Sequence, residues 1–469
     1  MKRVALHTLG CKVNAYETEI MRQSLREKGY HIVPFEEVAD IYIINTCTVT
    51  NIADRKSRQM LHRVKQRNPQ AVVVAVGCYV QTGRNAVEKD DSVDLAVGNN
   101  CKKEIVSILE KYLKERQEDS CKGIYKEERK KSHIVIGMDG DCGYEETQLR
   151  HAGEHTRAFV KIQDGCNQFC AYCVIPYARG RVRSRRYEDI ITEIEGLVKT
   201  GCKEVVLTGI HISSYGIDFE EEAWKNGVSQ TLQNGGKKEY TGSSKLIDLV
   251  ERIHKTEGLE RIRLGSLEPR IITEDTARRL CEMPKVCPHF HLSLQSGCDA
   301  TLKRMNRRYT VGEYYTSVEM LRKYFGHVAV TTDVIVGFPG ETEEEFSQTK
   351  AFLEKVSFYE MHIFKYSRRE GTRAASMPGQ VPESEKAWRS GELIALEAGQ
   401  SREFRWNYIG RKAEVLLEEE QEINGRVYLV GHTRDYVKVA VDTHGMVENT
   451  LVWVEVKGFL TDEILIGEK

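Results

Sequence analysis

Short apolar runs alternate with amphipathic stretches along most of this chain, and a sequence written that way has few folds open to it. Residues 4–8 are followed by a helical pattern at 17–28, residues 41–45 by one at 54–66, and residues 71–76 by a further helix-like piece. Near-continuous apolar runs are strands buried on both faces, so each run with its helix reads as one step of a parallel sheet. Residues 105–113 have helical apolar spacing and close a first α/β domain over residues 1–113. Residues 114–151 are polar, carry the run Lys126-Glu127-Glu128-Arg129-Lys130-Lys131, and read as a linker with one strand at 134–136.

The rhythm then resumes. Strands are expected at 158–162, 204–209, 261–265, 289–294, 329–336 and 359–364, with helical patterns between most of them. These steps are fewer than the roughly eight that close a full barrel, so residues 152–382 predict an open, partial (βα)6 barrel. Residues 218–244, rich in Gly, Glu, Lys, Asn and Gln, interrupt it as a loop insertion. Residues 402–467 change to β-like runs at 413–417, 427–430, 436–440 and 451–456, which predict a small antiparallel β-barrel or sheet.

A length of 469 residues accommodates these pieces, at roughly 100–200 residues per domain. Lys and Arg number 69 against 70 Asp and Glu, so bulk charge predicts no polyanion partner, and any nucleic-acid contact must come from a local patch. With 40% apolar and 30% charged residues the chain is globular in composition rather than disordered. The longest apolar stretch, residues 71–76, falls far below the roughly 20 residues that cross a bilayer. The apolar core after Met1-Lys2-Arg3 is too short for an export signal, so a cytoplasmic protein without a membrane partner is expected. Thirteen cysteines, an odd number, fit reduced thiols or metal ligands better than a disulfide framework.

The most specific signal is Cys166-Asn167-Gln168-Phe169-Cys170-Ala171-Tyr172-Cys173, directly after the first barrel strand. Ligands in α/β barrels bind at the carboxyl ends of the strands, where this loop starts. Three thiolates are one short of the four that an iron–sulfur cube or a structural zinc takes, which leaves one metal corner open. A zinc would need a further ligand, and no matching Cys-x2-Cys or His-x3-5-His lies nearby. In the first domain Cys11, Cys47 and Cys78 each sit just past a predicted strand. In a parallel sheet those ends share one edge, so the three can reach a single centre. Small cysteines also fill such turns as plain core residues. Cys101 follows the apolar run 95–97 at a longer offset and is left out of the set.

Cys-x3-Cys-x2-Cys after the first strand of a six-step barrel resembles the radical S-adenosylmethionine superfamily. The resemblance implies a [4Fe–4S] cluster on Cys166, Cys170 and Cys173 whose open iron chelates S-adenosyl-L-methionine and whose electron cleaves it to methionine and a 5′-deoxyadenosyl radical. Two tri-cysteine sets on successive α/β domains, with a β-rich tail similar to a TRAM domain, resemble the methylthiotransferase family over nearly the whole chain. That resemblance implies a second [4Fe–4S] cluster on Cys11, Cys47 and Cys78 that carries or supplies sulfur. Gly10-Cys11-Lys12-Val13-Asn14 and Val160-Lys161-Ile162-Gln163-Asp164-Gly165-Cys166 are similar to the branch that acts on N6-threonylcarbamoyladenosine at position 37 of the tRNA anticodon loop. It further implies an electron donor such as flavodoxin or ferredoxin, and a sulfur source. Methylthiolation of isopentenyladenosine in tRNA or of a ribosomal-protein aspartate, and a non-catalytic RNA-binding iron–sulfur sensor, are the alternative readings.

By position and by likeness, further residues are expected to bind S-adenosylmethionine. Tyr172 lies inside the cysteine loop, and Gly209 ends the second strand, although the common Gly-Gly-Glu-Pro form is missing there. Glu268 and Gln295 follow apolar runs at strand ends, and Arg307 can pair with a carboxylate. Asp333 and Gly337 belong to the fifth strand and its Gly-Phe-Pro-Gly turn. Two basic patches are candidates for phosphate contact: Arg55, Lys56, Arg58, His62, Arg63, Lys65 and Arg67 on one predicted helix, and Arg179, Arg181, Arg183, Arg185 and Arg186 after the cysteine loop. From residue 402 onward nine Lys and Arg meet thirteen Asp and Glu, a net of −4. RNA contact there rests on aromatics such as Trp406, Tyr428, Tyr436 and Trp453 and on placed cations such as Arg411, Arg434 and Lys438.

Overall fold

The computed structural model describes residues 1–121, 132–135, 143–151, 156–219, 242–443 and 445–469. The charge run at 126–131 and most of the expected insertion at 218–244 lie outside the described residues. The chain forms two compact units. One comprises Met1–Arg150, Gln163–Arg185 and Ser367–Thr372, and the other His151–Ile162, Arg186–Tyr366 and Arg373–Lys469.

The first unit is built on β1 (Arg3–Thr8), β2 (His31–Ile32), β3 (Ile41–Thr46), β4 (Val72–Gly77), β5 (Leu95–Val97) and β6 (Ser132–Ile134), in the order β2-β1-β3-β4-β5-β6. Every pairing is parallel. Every residue of β3 and β4 is buried, as apolar runs without polar alternation require. Side chains of successive residues divide between two cores. Leu6, Ile41, Ile43, Val72 and Val74 pack on one face with the helix Ile105–Cys121, while Ala5, Tyr42, Ile44, Val73 and Ala75 pack on the other with Leu61 and Val64 of the helix Asn51–Arg67. Part of the expected linker is regular structure: the helix continues past residue 113, and Ser132–Ile134 adds an edge strand beside β5.

In the second unit β7 (Arg157–Asp164) opens the barrel. Its last residues pair with the short antiparallel β8 (Arg183–Ser184), and both ends of that pairing belong to the first unit. The barrel continues with β9 (Glu204–Gly209), β10 (Arg261–Leu264), β11 (His289–His291), β12 (Ala329–Val336) and β13 (Glu360–Lys365). β10 pairs with β9, and β11, β12 and β13 form a parallel run. The parallel bridges Ile262–Val286 and Leu267–Leu292 link the two runs. The strands are those the sequence predicts, and they make an open barrel.

The chain then runs through the helix Glu383–Trp406 into a closed barrel of β14 (Lys412–Ile423), β15 (Arg426–Thr433), β16 (Lys438–Asp442), β17 (Thr450–Phe459) and β18 (Leu465–Glu468), ordered β14-β15-β16-β18-β17. The helix extends through residues 402–406, ahead of the first β-like run expected at 413–417. Leu393 on it is fully buried, so packing decides the conformation there. The strand β18 has no sequence signal beyond its four residues and forms because it pairs with both β16 and β17, closing the barrel.

This small barrel is fastened to the first residues of the large barrel's strands. Tyr436, at φ 74°, puts its ring against His289 and His432 at centroid distances of 4.9 and 4.4 Å. The guanidinium carbons of Arg157 and Arg263 stand 5.1 and 4.7 Å from the same centroid. Beneath them Glu204, fully buried, accepts from Arg263 Nε at 2.9 Å, and Arg261 donates to the His432 carbonyl at 3.0 Å. Burial works to raise the Glu204 carboxyl, but the charges of Arg263, Arg157 and Arg261 overcome it and hold the group at about 2.

Arg263→Met leaves the Glu204 charge buried with its best partner gone and should cost about 3–5 kcal/mol in chemical denaturation, with Glu204→Leu in the same chain recovering most of the loss. Because the folded carboxyl titrates below its ordinary range, this contribution is full above about pH 4.5 and should fade as pH falls toward 2. Circular dichroism across that window checks the sign.

Candidate functional site

The cysteines of the first unit stand where its sheet ends. Gly10, at φ 101°, turns the chain out of β1, and Cys11 caps the helix Lys12–Glu27. Cys47 directly follows β3, and Gly77, also at φ 101°, turns β4 into the short helix that begins at Cys78. Only glycine fits at position 10: a Cβ there would lie 2.6 Å from Cys47 Sγ. Cys47 and Cys78 are buried, whereas Cys11 keeps exposed surface. Burial pushes the Cys47 thiol up to about 11, helped by the neighbouring Cys78 and Cys11. Burial likewise raises the Cys11 thiol, with Cys78 adding to it and Arg179 opposing it. Cys47 thus lies within reach of the charges of Cys78 and Cys11. As thiolates such side chains are soft donors suited to iron or zinc.

The second cysteine loop belongs to the same unit. Gly165, at φ 71°, leads from β7 into it, and a Cβ there would strike the Arg181 carbonyl. Cys166 N donates to the Gly180 carbonyl at 3.0 Å, and Cys173 N to the Cys170 carbonyl at 3.0 Å. Phe169, between the first two cysteines, takes the left-handed conformation at φ 48°. Its ring is held by Tyr177, edge-on at 5.9 Å, and by the Arg181 guanidinium at 4.6 Å. Cys166, Cys170, Tyr172 and Cys173 are all half-buried on this loop. Gln168 N reaches Cys166 Sγ at 3.4 Å, a donor aimed at a ligand sulfur.

Residues that sequence reasoning missed tie this unit together. Arg369, from the segment Ser367–Thr372, donates to Asn51 Oδ1 at 2.7 Å, Asp54 Oδ2 at 2.6 Å and Thr48 Oγ1 at 2.6 Å, and so fixes the chain just after Cys47. Asn99 Nδ2 lies 3.6 Å from Cys78 Sγ and donates to the Ala178 carbonyl at 2.7 Å. Both are remote from the cysteines in sequence, and their residue types alone give no signal.

In the second unit Glu268 is buried beside His211 at 3.5 Å and Arg270 at 3.8 Å. Burial opposes its charge, yet His211, Arg307 and Arg270 hold the carboxyl at about 2. Arg307 itself lies over the Tyr309 ring at 4.9 Å. Gln295 is left-handed at φ 70°, and its backbone bridges β12 through Asp333 O at 2.8 Å. Gly209 is the last residue of β9. Gly337, at φ 70°, is packed against the stem of Lys386, which a Cβ would meet at 2.3 Å, so the adjoining helix accounts for its lack of a side chain. Asp333 faces His291 Nε2 at 3.3 Å and, with His362, brings three ligand-type atoms within 4.8 Å of one another across β11, β12 and β13.

The basic patches divide. Arg55, Lys56, Arg58 and Arg63 are exposed on the helix Asn51–Arg67, whereas Lys65 pairs with Asp94 and Arg67 donates to the Phe35 carbonyl at 2.8 Å. In the second patch only Arg181 and Arg186 are exposed. Arg179, Arg183 and Arg185 are buried and committed inside the protein, so the expectation that they hold phosphate is corrected. Likewise Tyr428 is buried, Tyr436 is enclosed as described above, and Arg434 donates to the Val286 carbonyl at 3.0 Å, leaving Trp406 and Trp453 as the exposed aromatics of that set. No helix among the described residues is long and apolar enough to cross a membrane.

Comparison with known proteins agrees with this arrangement. Residues 3–98 match the model of the Uncharacterized protein family UPF0004, and residues 160–353 that of the Radical SAM superfamily. The chain is 40% identical over 440 residues to the threonylcarbamoyladenosine tRNA methylthiotransferase MtaB of Bacillus subtilis (strain 168), covering 94% of this chain and 90% of that protein. It is 35% identical over 433 residues to the tRNA-2-methylthio-N(6)-dimethylallyladenosine synthase of Carboxydothermus hydrogenoformans, covering 91% and 90%. Among solved structures, the radical S-adenosylmethionine methyltransferase TsrM from Kitasatospora setae, with cobalamin and a [4Fe-4S] cluster bound, shares the fold at TM-score 0.52 and 15% identity over 80% of this chain and 77% of that one.

Gly10→Ala should displace Cys47 and store backbone strain of about 1–3 kcal/mol. A lower unfolding midpoint, together with faster maleimide labelling of the normally buried Cys47 in the cluster-free chain, is the expected result by mass spectrometry.

Proposed function

This chain belongs to the tRNA methylthiotransferase family of radical S-adenosylmethionine enzymes, and we propose that its substrate is N6-threonylcarbamoyladenosine at position 37 of tRNA, converted to the 2-methylthio derivative. The substrate reading is carried by the 40% identity to MtaB of Bacillus subtilis, and the cluster reading by the folding of Cys11, Cys47, Cys78 and the loop Cys166–Cys173 as parts of a single compact unit. Each triad fits a [4Fe–4S] cluster by its soft donor set and its missing protein ligand. When bound, two such clusters and S-adenosyl-L-methionine supply the one-electron and sulfur chemistry that an unactivated aromatic C–H demands and side chains lack.

The chain's own residues then have positioning work. Cys166, Cys170 and Cys173 hold one cluster, and Cys11, Cys47 and Cys78 the other. Glu268, kept anionic by His211, suits ribose hydroxyls or an ammonium group, and Gly209, Gln295, Arg307, Asp333 and Gly337 of the same unit are further S-adenosylmethionine contacts. Exposed Arg55, Lys56, Arg58 and Arg63 meet phosphates of the anticodon arm, and Trp406 and Trp453 offer stacking faces for RNA. The polar trio of His291, Asp333 and His362 favours a substrate with a polar, carboxylate-bearing N6 group. A flavodoxin or ferredoxin would deliver electrons, a separate sulfur source would restore what each turnover removes, and the setting is the cytoplasm.

In tRNA from cells lacking this gene, liquid chromatography with mass spectrometry should show 2-methylthio-threonylcarbamoyladenosine lost and its unmodified precursor accumulated; unchanged levels would overturn the substrate assignment. The purified chain, reconstituted without oxygen, should hold about eight irons, falling to about four when Cys166, Cys170 and Cys173 become Ala. That variant should also lose reductive release of 5′-deoxyadenosine.

A further inference from the structure

Arg179, six positions beyond the second cysteine loop, is fully buried. Its Nη1 donates to Glu17 Oε1 at 2.8 Å and reaches both oxygens of Asp164 at 3.2 Å. Its Nη2 donates to Asn14 Oδ1 at 2.8 Å and Glu17 Oε2 at 3.1 Å. Asn14 and Glu17 lie on the helix that Cys11 caps, and Asp164 precedes Cys166. One side chain thus joins the flanks of both triads within the first unit.

The backbone beside Arg179 also reaches toward the first triad. Asn99 Nδ2, 3.6 Å from Cys78 Sγ, donates at 2.7 Å to the carbonyl of Ala178, the residue just before Arg179. Lys102 pairs with Glu17, and Arg183 approaches Asp164 at 3.5 Å, so three cations meet two carboxylates in this network. Arg179 Nε has no hydrogen-bond partner among the described residues. A buried cation is retained only where something anionic balances it. Neutral thiols do not, but three thiolates on a [4Fe–4S] cube carry a net charge of about −1, and about −2 after reduction.

We propose that Arg179, opposed by Glu17, sets the reduction potential of the cluster on Cys11, Cys47 and Cys78 by stabilising its reduced form. This rests on the reading that the first triad holds such a cluster. The step is the gain of one electron by the cube, its core passing from the 2+ to the 1+ state with no bond made or broken, and dithionite is the reductant in the test. Arg179 acts as a positioning residue through charge, in the way that groups around a cluster tune it.

The full-length chain carrying Cys166→Ala, Cys170→Ala and Cys173→Ala, reconstituted without oxygen, isolates the first cluster for a potentiometric titration followed by electron paramagnetic resonance. Arg179→Met should lower the midpoint and Glu17→Gln should raise it, while Arg179→Lys, which keeps the charge, should stay near the parent. A strut without electrostatic influence predicts no such opposition of sign. Midpoints that stay together, or move in one direction for both charge changes, would overturn the inference. Should Arg179→Met retain no iron, Glu17→Gln against the parent decides: a raised midpoint supports the inference and an unmoved one sinks it. A parent chain without iron would instead overturn the two-cluster reading, and this inference with it.

Discussion

Strands that pair in parallel must all leave their sheet at the same edge, and the first unit is parallel throughout. That constraint gathers residues far apart in sequence without any dedicated scaffold: Cys11, Cys47 and Cys78 each follow a strand that ends there. The turns are then exacting. Gly10 and Gly77 both take positive φ, and the space a Cβ would need at Gly10 is filled by Cys47 itself. Buried apolar strands fix the edge, and the edge fixes where the thiols stand.

The second unit uses the two ends of its barrel differently. Its strand carboxyl ends carry polar groups such as Glu268 with His211, and Gln295 in a left-handed conformation. Its strand amino ends are closed by Glu204, Arg261, Arg263 and Tyr436. This division is the ordinary one for α/β barrels, where the amino-end face serves stability and the carboxyl-end face serves chemistry.

Much of this was legible in the sequence because it rests on local patterns. The strands of both α/β parts follow apolar runs, and the cysteines stand at the ends of those runs. What was not legible depends on burial of residue types that usually face water. Glu17 and Lys102 fall in helical stretches where a charged residue reads as surface, and only the fold turns them inward, Glu17 onto Arg179 and Lys102 onto Glu17. The same blindness makes Arg183 and Arg185 look like a phosphate patch, although both are enclosed. The helix Glu383–Trp406 has little apolar asymmetry to announce it, and Tyr436 gives no sign in sequence that its ring is taken up by two imidazoles and two guanidinium groups.

The seat of Tyr436 removes slack. A module joined by a tether samples many orientations and must be caught in the right one, whereas a ring clamped on all sides, with Arg261 bonded across the same seam, keeps the C-terminal barrel at a constant offset from the larger one. Trp453 on its outer surface is therefore held at one fixed distance from the strands of the larger barrel rather than swinging on a hinge.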